Sequence, residues 1–233
     1  MRYTSANFAT HKAPGRLESL KESVFSIINQ VKRVRIYWNG YSVYDLPEWS
    51  NQMKIINYTG DDLTDNGKFR FIVDSLYDED YFMCDDDIIY PPNYVAHTRP
   101  FLDAYPVISY HGRILNPHGN WENSYYRGGH QVLSYLNAVD TLTTVHVIGT
   151  GVSAFRTARL RPTLLYKSPY KRMSDLVFSE YCQTNRIPVV ILPHPEAWLK
   201  HTTTRHQTTI ATIESRGTQI NQIDIVRKML LRI

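Results

Sequence analysis

The run Tyr81-Phe82-Met83-Cys84 is apolar and ends without a spacer in three carboxylates, Asp85, Asp86 and Asp87, before the apolar residues Ile88, Ile89 and Tyr90. An apolar run this short, stopped abruptly by acid, predicts a buried strand rather than an amphipathic helix. Adjacent carboxylates repel one another, and where they are partly buried they need a cation or strong donors beside them. Hard carboxylate oxygens select Mg²⁺ or Mn²⁺ over Zn²⁺, and such ions bridge one or two carboxylates to substrate phosphates. The cluster therefore predicts a divalent-metal site and a substrate carrying a diphosphate. In strand geometry Asp85 and Asp87 point to one side and Asp86 to the other, so the first and third share one ligand system. The alternative is a solvated acidic turn capping a helix that begins near Pro91.

Around this cluster, strand and helix patterns alternate. Arg2 to Thr10 reads as a strand, followed by a loop through Pro14, Gly15 and Arg16 and a helix over Leu17 to Gln30. Val31 to Trp38 and Lys54 to Tyr58 read as strands that stop at Asn39-Gly40 and Gly60. A polar loop from Asp61 to Lys68 precedes a short helix through Val73 and Leu76. Further on, Val107 to Ile114 and Thr143 to Phe155 read as strands on either side of a polar stretch, Asn116 to His130. Met173 to Thr184 has helical spacing, Val189 to Leu192 is a last strand, and Ile220 to Ile233 a closing helix. Strands alternating with helices predict a parallel α/β sheet with right-handed crossovers, whose ligands sit outside the carboxyl ends of the strands.

The 233 residues, 42% hydrophobic, suffice for one large domain. Lys and Arg, 26 in all, are spread along the chain and give a net charge of +4 without a dense basic block, which argues against nucleic acid as a partner. Cys84 and Cys182 are the only cysteines, too few for a disulfide framework, so a reducing compartment is expected. Met1 to Lys12 holds no apolar run with a cleavage site, and no window reaches the apolar length a bilayer requires. The expectation is a soluble, cytoplasmic protein with no transmembrane segment, in the host cytoplasm if viral.

The order of segments resembles the GT-A glycosyltransferases, in particular small nucleotide-sugar transferases of bacterial and large-DNA-virus type. The residues carrying the resemblance are Ala13-Pro14-Gly15-Arg16, Tyr37-Trp38-Asn39-Gly40-Tyr41, Asp65-Asn66-Gly67-Lys68-Phe69, the acidic cluster continued through Tyr90-Pro91-Pro92, Val147-Ile148-Gly149-Thr150-Gly151, Met173-Ser174-Asp175, Ala197-Trp198-Leu199 and Gln207-Thr208-Thr209-Ile210. It implies a single α/β domain of GT-A (Rossmann-like) type: a central, mostly parallel sheet flanked by helices, with a small antiparallel excursion. Residues 1–95 would form the nucleotide-sugar-binding half and 96–233 the acceptor-binding half.

The same resemblance implies a site. Thr10, Arg16 and Asn39 would hold the base or ribose, Asp65 would read the base edge, and Lys68 would position the diphosphate. Asp85 and Asp86 would face the nucleotide, Asp85 and Asp87 the Mn²⁺ or Mg²⁺ ion, and Gly149 and Gly151 the donor sugar or acceptor. Asp175 falls where inverting members deploy a general base, although a place at a helix start lowers a carboxyl pKa unless burial counteracts it. The third metal ligand, often a His of the C-terminal segment, would be His201 rather than His194 or His206. Trp121, in the polar stretch, is the aromatic expected to offer a stacking face to a sugar.

The function implied is transfer of a hexose or deoxyhexose from a nucleoside-diphosphate sugar, UDP-linked, to a hydroxyl of a glycan or glycoconjugate acceptor. One alternative is a nucleotidyltransferase making sugar nucleotides, whose glycine-rich first loop is poorly matched by Ala13-Pro14-Gly15-Arg16. Another is an inactive glycan-binding module of the same fold.

Overall fold

The computed structural model describes residues 2–75, 78–121, 125–126, 128–204 and 220–233. Its strands in chain order are β1 (Tyr3–His11), β2 (Arg33–Asn39), β3 (Ile55–Gly60), β4 (Glu79–Cys84), β5 (Ile88–Ile89), β6 (Val107–Ser109), β7 (Gly112–Ile114), β8 (Gln131–Leu133), β9 (Thr143–Thr144), β10 (Val147–Ile148), β11 (Val152–Arg156), β12 (Val189–Ile191) and β13 (Lys200–His201). The helices are α1 (Arg16–Ile27), α2 (Tyr94–Thr98), α3 (Phe101–Ala104), α4 (Ser174–Thr184) and α5 (Ile220–Leu230).

β1 to β4 are parallel and stand in the order β3-β2-β1-β4, and the sheet continues through β11, β6, β12 and β9. β11 runs antiparallel to both its neighbours, β4 and β6, while β12 is again parallel to β6. A smaller antiparallel sheet, β10-β7-β8, lies beside the main one, and β13 pairs with β5. This is the mostly parallel sheet with a small antiparallel excursion that the resemblance to GT-A glycosyltransferases implies.

Every residue of β4 is buried. Its side chains alternate between two cores as the pleat requires. Phe82 and Cys84 pack with Leu20, Val24 and Ile27 of α1, whereas Tyr81 and Met83 pack with Phe69, Phe71 and Ile72 of a 3₁₀ helix, Thr64–Ile72. A third core joins Leu115, Trp121 and Val147 to Leu176 and Val177 of α4 and to Ile225, Val226 and Met229 of α5. α1 begins at Gly15, whose φ of 72° is the left-handed conformation that glycine takes without strain.

Three expectations need correction. Val107 to Ile114 is not one strand: the chain turns at Tyr110 and His111, so β6 lies in the main sheet and β7 in the small one. Thr143 to Phe155 divides likewise into β9, β10 and β11, of which β10 belongs to the small sheet. The helix expected through Val73 and Leu76 lies earlier, as the 3₁₀ helix over the segment read as a polar loop; Leu76 itself is outside the described residues.

Candidate active site

β1 pairs on one side with β2 and on the other with β4, which the chain reaches only after completing β3. The strand order therefore turns back at β1, with β2 and β3 on one side and β4 on the other, and the carboxyl ends of β1 and β4 lie at the switch point where open α/β sheets bind ligands. A cleft of about 360 Å³ opens there. It is lined by residues from both halves of the chain, including Thr10, Arg16, Asn39, Asp65, Lys68, Asp85, Asp86, Asp87 and Asp175.

The three aspartates occupy the turn between β4 and β5 rather than an extended strand. Asp86 faces away from Asp85: it accepts from the Thr10 hydroxyl at 2.6 Å and pairs with Arg16 at 2.5 Å, while Ser19 Oγ donates to its backbone carbonyl at 2.7 Å. Asp85 Oδ1 accepts from the Lys68 ammonium, and its backbone N–H donates to the Tyr90 hydroxyl at 2.9 Å. That hydroxyl donates in turn to Gly151 O at 2.6 Å. A Cβ on Gly151 would lie 2.0 Å from Asp85 Oδ2, so glycine at this position makes room for the carboxylate.

Asp87 is different. Only its backbone carbonyl is engaged, accepting from Thr202 N at 3.0 Å, and no donor or cation meets its carboxylate among the described residues. Burial, with the charges of Asp85 and Asp86, pushes its carboxyl up to about 7. The acids at the other end of β4 are fully compensated: Glu79 pairs with Arg35 at 2.7 Å, and Asp80 with Arg99 at 2.8 Å and Arg156 at 3.0 Å. The carboxyl end of the strand is thus where a carboxylate is left without a counter-charge among the described residues.

Lys68 is 1% exposed. Burial lowers the pKa of its ammonium, but the charges of Asp85 and Asp65 outweigh that and hold it above the ordinary lysine value. Asp65 spans two segments, accepting from Thr64 Oγ1 at 3.1 Å and from the backbone N–H of Ser174 at 2.8 Å, and so caps the start of α4. Asn39 has its amide fully engaged, donating to Thr10 O and Thr64 O, both at 2.9 Å, and accepting from Leu63 N at 2.8 Å. It shapes the floor of the cleft.

Asp175 sits in the first turn of α4, where its Oδ1 accepts from the backbone N–H and the hydroxyl of Thr150, each at 2.7 Å. Its Oδ2 has no hydrogen bond among the described residues. Burial, reinforced by the charge of Asp85, raises this carboxyl above its ordinary range and overrides the helix-start effect.

Other expected residues lie elsewhere. Gly149 backs onto the His111 ring, 2.8 Å from where its Cβ would be, and like Gly151 is not part of the cleft wall. His201, on β13, meets the Tyr135 hydroxyl at 3.2 Å and does not line the cleft. Among the described residues no three His, Cys, Asp or Glu side chains are grouped to hold a metal. His206 and Gln207 to Ile210 lie outside the described residues. Trp121 is 6% exposed, donates to Asn116 O at 2.9 Å and stacks on His130, so it is part of the third core. Burial pushes the Cys84 thiol up to about 12, which rules it out as a nucleophile at neutral pH.

Sequence reasoning missed His11, Arg113, Arg172 and Gln222, all of which line the cleft. Arg113 left a signal, a lone cation inside a run read as strand; Gln222 left none.

The chain has a GT-A-like fold. Among solved structures it is similar to S. aureus TarS 1–349 in complex with UDP-GlcNAc, with a TM-score of 0.54 and 11% identity over 100% of this chain and 72% of that one. A second S. aureus TarS structure matches at TM-score 0.52 and 13% identity, over 100% of this chain and 43% of that one. The 4-diphosphocytidyl-2C-methyl-D-erythritol synthase of Anaerococcus prevotii matches at TM-score 0.52 and 10% identity, over 88% and 94% of the two chains. At such identities the likeness is one of fold. No family model matches the chain, and no curated protein does. No helix among the described residues is long and apolar enough to cross a membrane.

Proposed function

We propose that this chain is a metal-dependent glycosyltransferase that moves a hexose or deoxyhexose from a nucleoside-diphosphate sugar, UDP-linked, to a glycan hydroxyl. The observation that carries this reading is the Asp87 carboxylate, unpaired beside Asp85 at the switch point and raised to about 7. The fold shared with TarS, solved with UDP-GlcNAc, supports a uridine nucleotide as carrier. The two cysteines, both free and buried, support a reducing, cytoplasmic setting.

Two adjacent hard carboxylates, one of them uncompensated, fit Mg²⁺ or Mn²⁺, which take few protein ligands and complete their shell with water and phosphate oxygens. Asp85 and Asp87 would hold the ion. When bound, it would neutralise charge on the departing diphosphate.

The protein's own groups divide the remaining work. Lys68, fixed against Asp85, presents positive charge where the leaving diphosphate gains negative charge. Thr10 and Arg16 neutralise Asp86, so that it does not compete with Asp85 and Asp87 for a cation. Asp175, with one oxygen held by Thr150, takes the proton of the acceptor hydroxyl through the other. The acceptor oxygen then bonds to the anomeric carbon as the bond from that carbon to the diphosphate oxygen breaks.

A thermal-shift screen of nucleoside diphosphates and nucleotide sugars, with and without Mn²⁺, tests the reading. The expected result is a shift with one nucleotide that depends on Mn²⁺ and is lost in Asp87→Ala. Full turnover by Asp87→Ala with the right donor would refute it. The fold likeness to the Anaerococcus prevotii synthase favours one competitor, a nucleotidyltransferase. Release of pyrophosphate from a nucleoside triphosphate and a sugar phosphate would identify that class.

A further inference from the structure

Among the described residues four Lys and Arg side chains line the cleft, and three of them are engaged by the protein itself. Arg16 pairs with Asp86, Lys68 pairs with Asp85, and Arg113 donates to the Tyr125 hydroxyl at 2.6 Å. The fourth, Arg172, is exposed, and no carboxylate pairs with it among the described residues. Asp62, on the same wall, instead accepts from Thr64 N at 2.9 Å. An anion entering the cleft thus meets one guanidinium that has no protein anion to leave.

The backbone at Arg172 is a second, independent observation. Its φ is 60°, its N–H donates to Thr64 Oγ1 at 3.2 Å, and Thr64 itself has a φ of 55°. Left-handed φ is strained for a residue with a Cβ, most of all for a β-branched one. The segment is pinned in this shape on both sides of Arg172: Asn66 Nδ2 donates to Tyr170 O at 2.9 Å, and Ser174 N donates to Asp65 Oδ2 at 2.8 Å. Thr64 is tied in turn to the sheet, its carbonyl accepting from Asn39 Nδ2, which also donates to Thr10 O. Two linked sets of hydrogen bonds therefore fix the Arg172 backbone relative to the carboxyl ends of β1 and β2, where the cleft opens. Glycine would take this conformation without strain. Strain held in place by its surroundings at the wall of a cleft points to a use for the side chain that bears it.

We propose that Arg172 binds the diphosphate of the donor, its guanidinium fork taking phosphate oxygens that the ion at Asp85 and Asp87 leaves uncovered. A planar fork with parallel N–H donors matches phosphate in a way a point charge does not. The word donor rests on the glycosyltransferase reading, but diphosphate binding is measurable without any transfer.

The test is isothermal titration of wild type, Arg172→Gly and Arg172→Asn with inorganic pyrophosphate and with UDP in Mg²⁺, alongside the melting temperature of each protein. Both replacements tolerate left-handed φ and carry no charge. Each should weaken both ligands about tenfold, equivalent to about 1.4 kcal/mol. The melting temperatures should stay within about 3 °C of wild type, because relief of strain offsets the extra freedom of the unfolded chain. Should Arg172→Gly fail to fold, Arg172→Asn decides. Wild-type affinity in either folded variant overturns the proposal, and so does a wild type that binds neither ligand. A loss of affinity matched by a large fall in melting temperature in both variants overturns it as well, since it assigns Arg172 a structural role. If both variants lose pyrophosphate while wild type shows no Mn²⁺-dependent shift with any nucleotide sugar, Arg172 keeps its anion site and the glycosyltransferase reading is lost.

Discussion

Lys68 and Asp85 form an ion pair in which the cation is sealed and the anion is not, their side chains being 2% and 43% exposed. The lysine is spent on fixing Asp85 while the second oxygen of that carboxylate stays beside Gly151 at the cleft. Replacing Lys68 by Met removes the charge that compensates both Asp85 and the buried Asp65. Stability should fall by about 1–3 kcal/mol in urea unfolding, less than for a fully buried pair because Asp85 is half exposed. Transfer activity should fall further than stability, since Asp85 loses the partner that fixes its carboxylate in the cleft.

Metal binding should depend on pH through Asp87. Its folded-state carboxyl, at about 7, lies above the ordinary value of 3.8, so the metal-free folded state holds a proton the unfolded chain has lost. Stability from that group is present at low pH and is lost as pH rises through about 7. A divalent ion must displace the proton, so the Mn²⁺-induced rise in melting temperature should be small near pH 6 and grow towards about pH 8. In Asp87→Asn the Mn²⁺ response should be weak and flat across the same range.

Gly151→Ala would put a methyl group 2.0 Å from Asp85 Oδ2. The carboxylate must then rotate, breaking its contact with Lys68. Turnover should drop by about a hundredfold, the usual effect of misplacing a positioned group by about 1 Å, and the Mn²⁺-dependent thermal shift should shrink with it. A variant with wild-type turnover would show that Asp85 does not need its observed rotamer.

Asp175→Asn keeps an oxygen to accept from Thr150 but cannot take a proton. Its kcat should fall by about 10²–10⁴, as for loss of a general base, with the donor KM little changed in steady-state assays. Equal losses in kcat and in donor binding would assign Asp175 to the donor instead.

The acidic end of β4 was legible in the sequence because an apolar run stops dead against Asp85, a boundary that local pattern alone defines. α1 and α4 were legible for the same reason, since their buried residues recur at helical spacing. Lys68 was legible as a member of the cleft but not as a buried cation. Its neighbours Asp65, Asn66 and Gly67 read as a polar loop, and only the distant Asp85 explains why it can be buried. Trp121 misled in the opposite direction, its polar neighbours hiding a ring that packs against Gly128 and His130. The run Thr143 to Phe155 could not be parsed locally, because β-branched residues look alike whichever sheet they join, and the chain changes sheets twice within it. Gln222 joins the cleft through the packing of α5 on α4, which no local spacing encodes.

The antiparallel β11 has an architectural consequence. It comes from the carboxyl-terminal portion of the chain, yet it covers the free edge of β4, and its neighbour Gly151 is held to the acidic turn by the Tyr90 hydroxyl. A fragment ending near residue 95 would keep every residue of the acidic turn but leave β4, with its apolar run Tyr81 to Cys84, as an unpaired edge ready to pair with another copy. Residues 1–95 are therefore not a detachable module. Dissection of this chain should yield aggregates rather than half-enzymes, and shuffling by recombination would have to move both portions together.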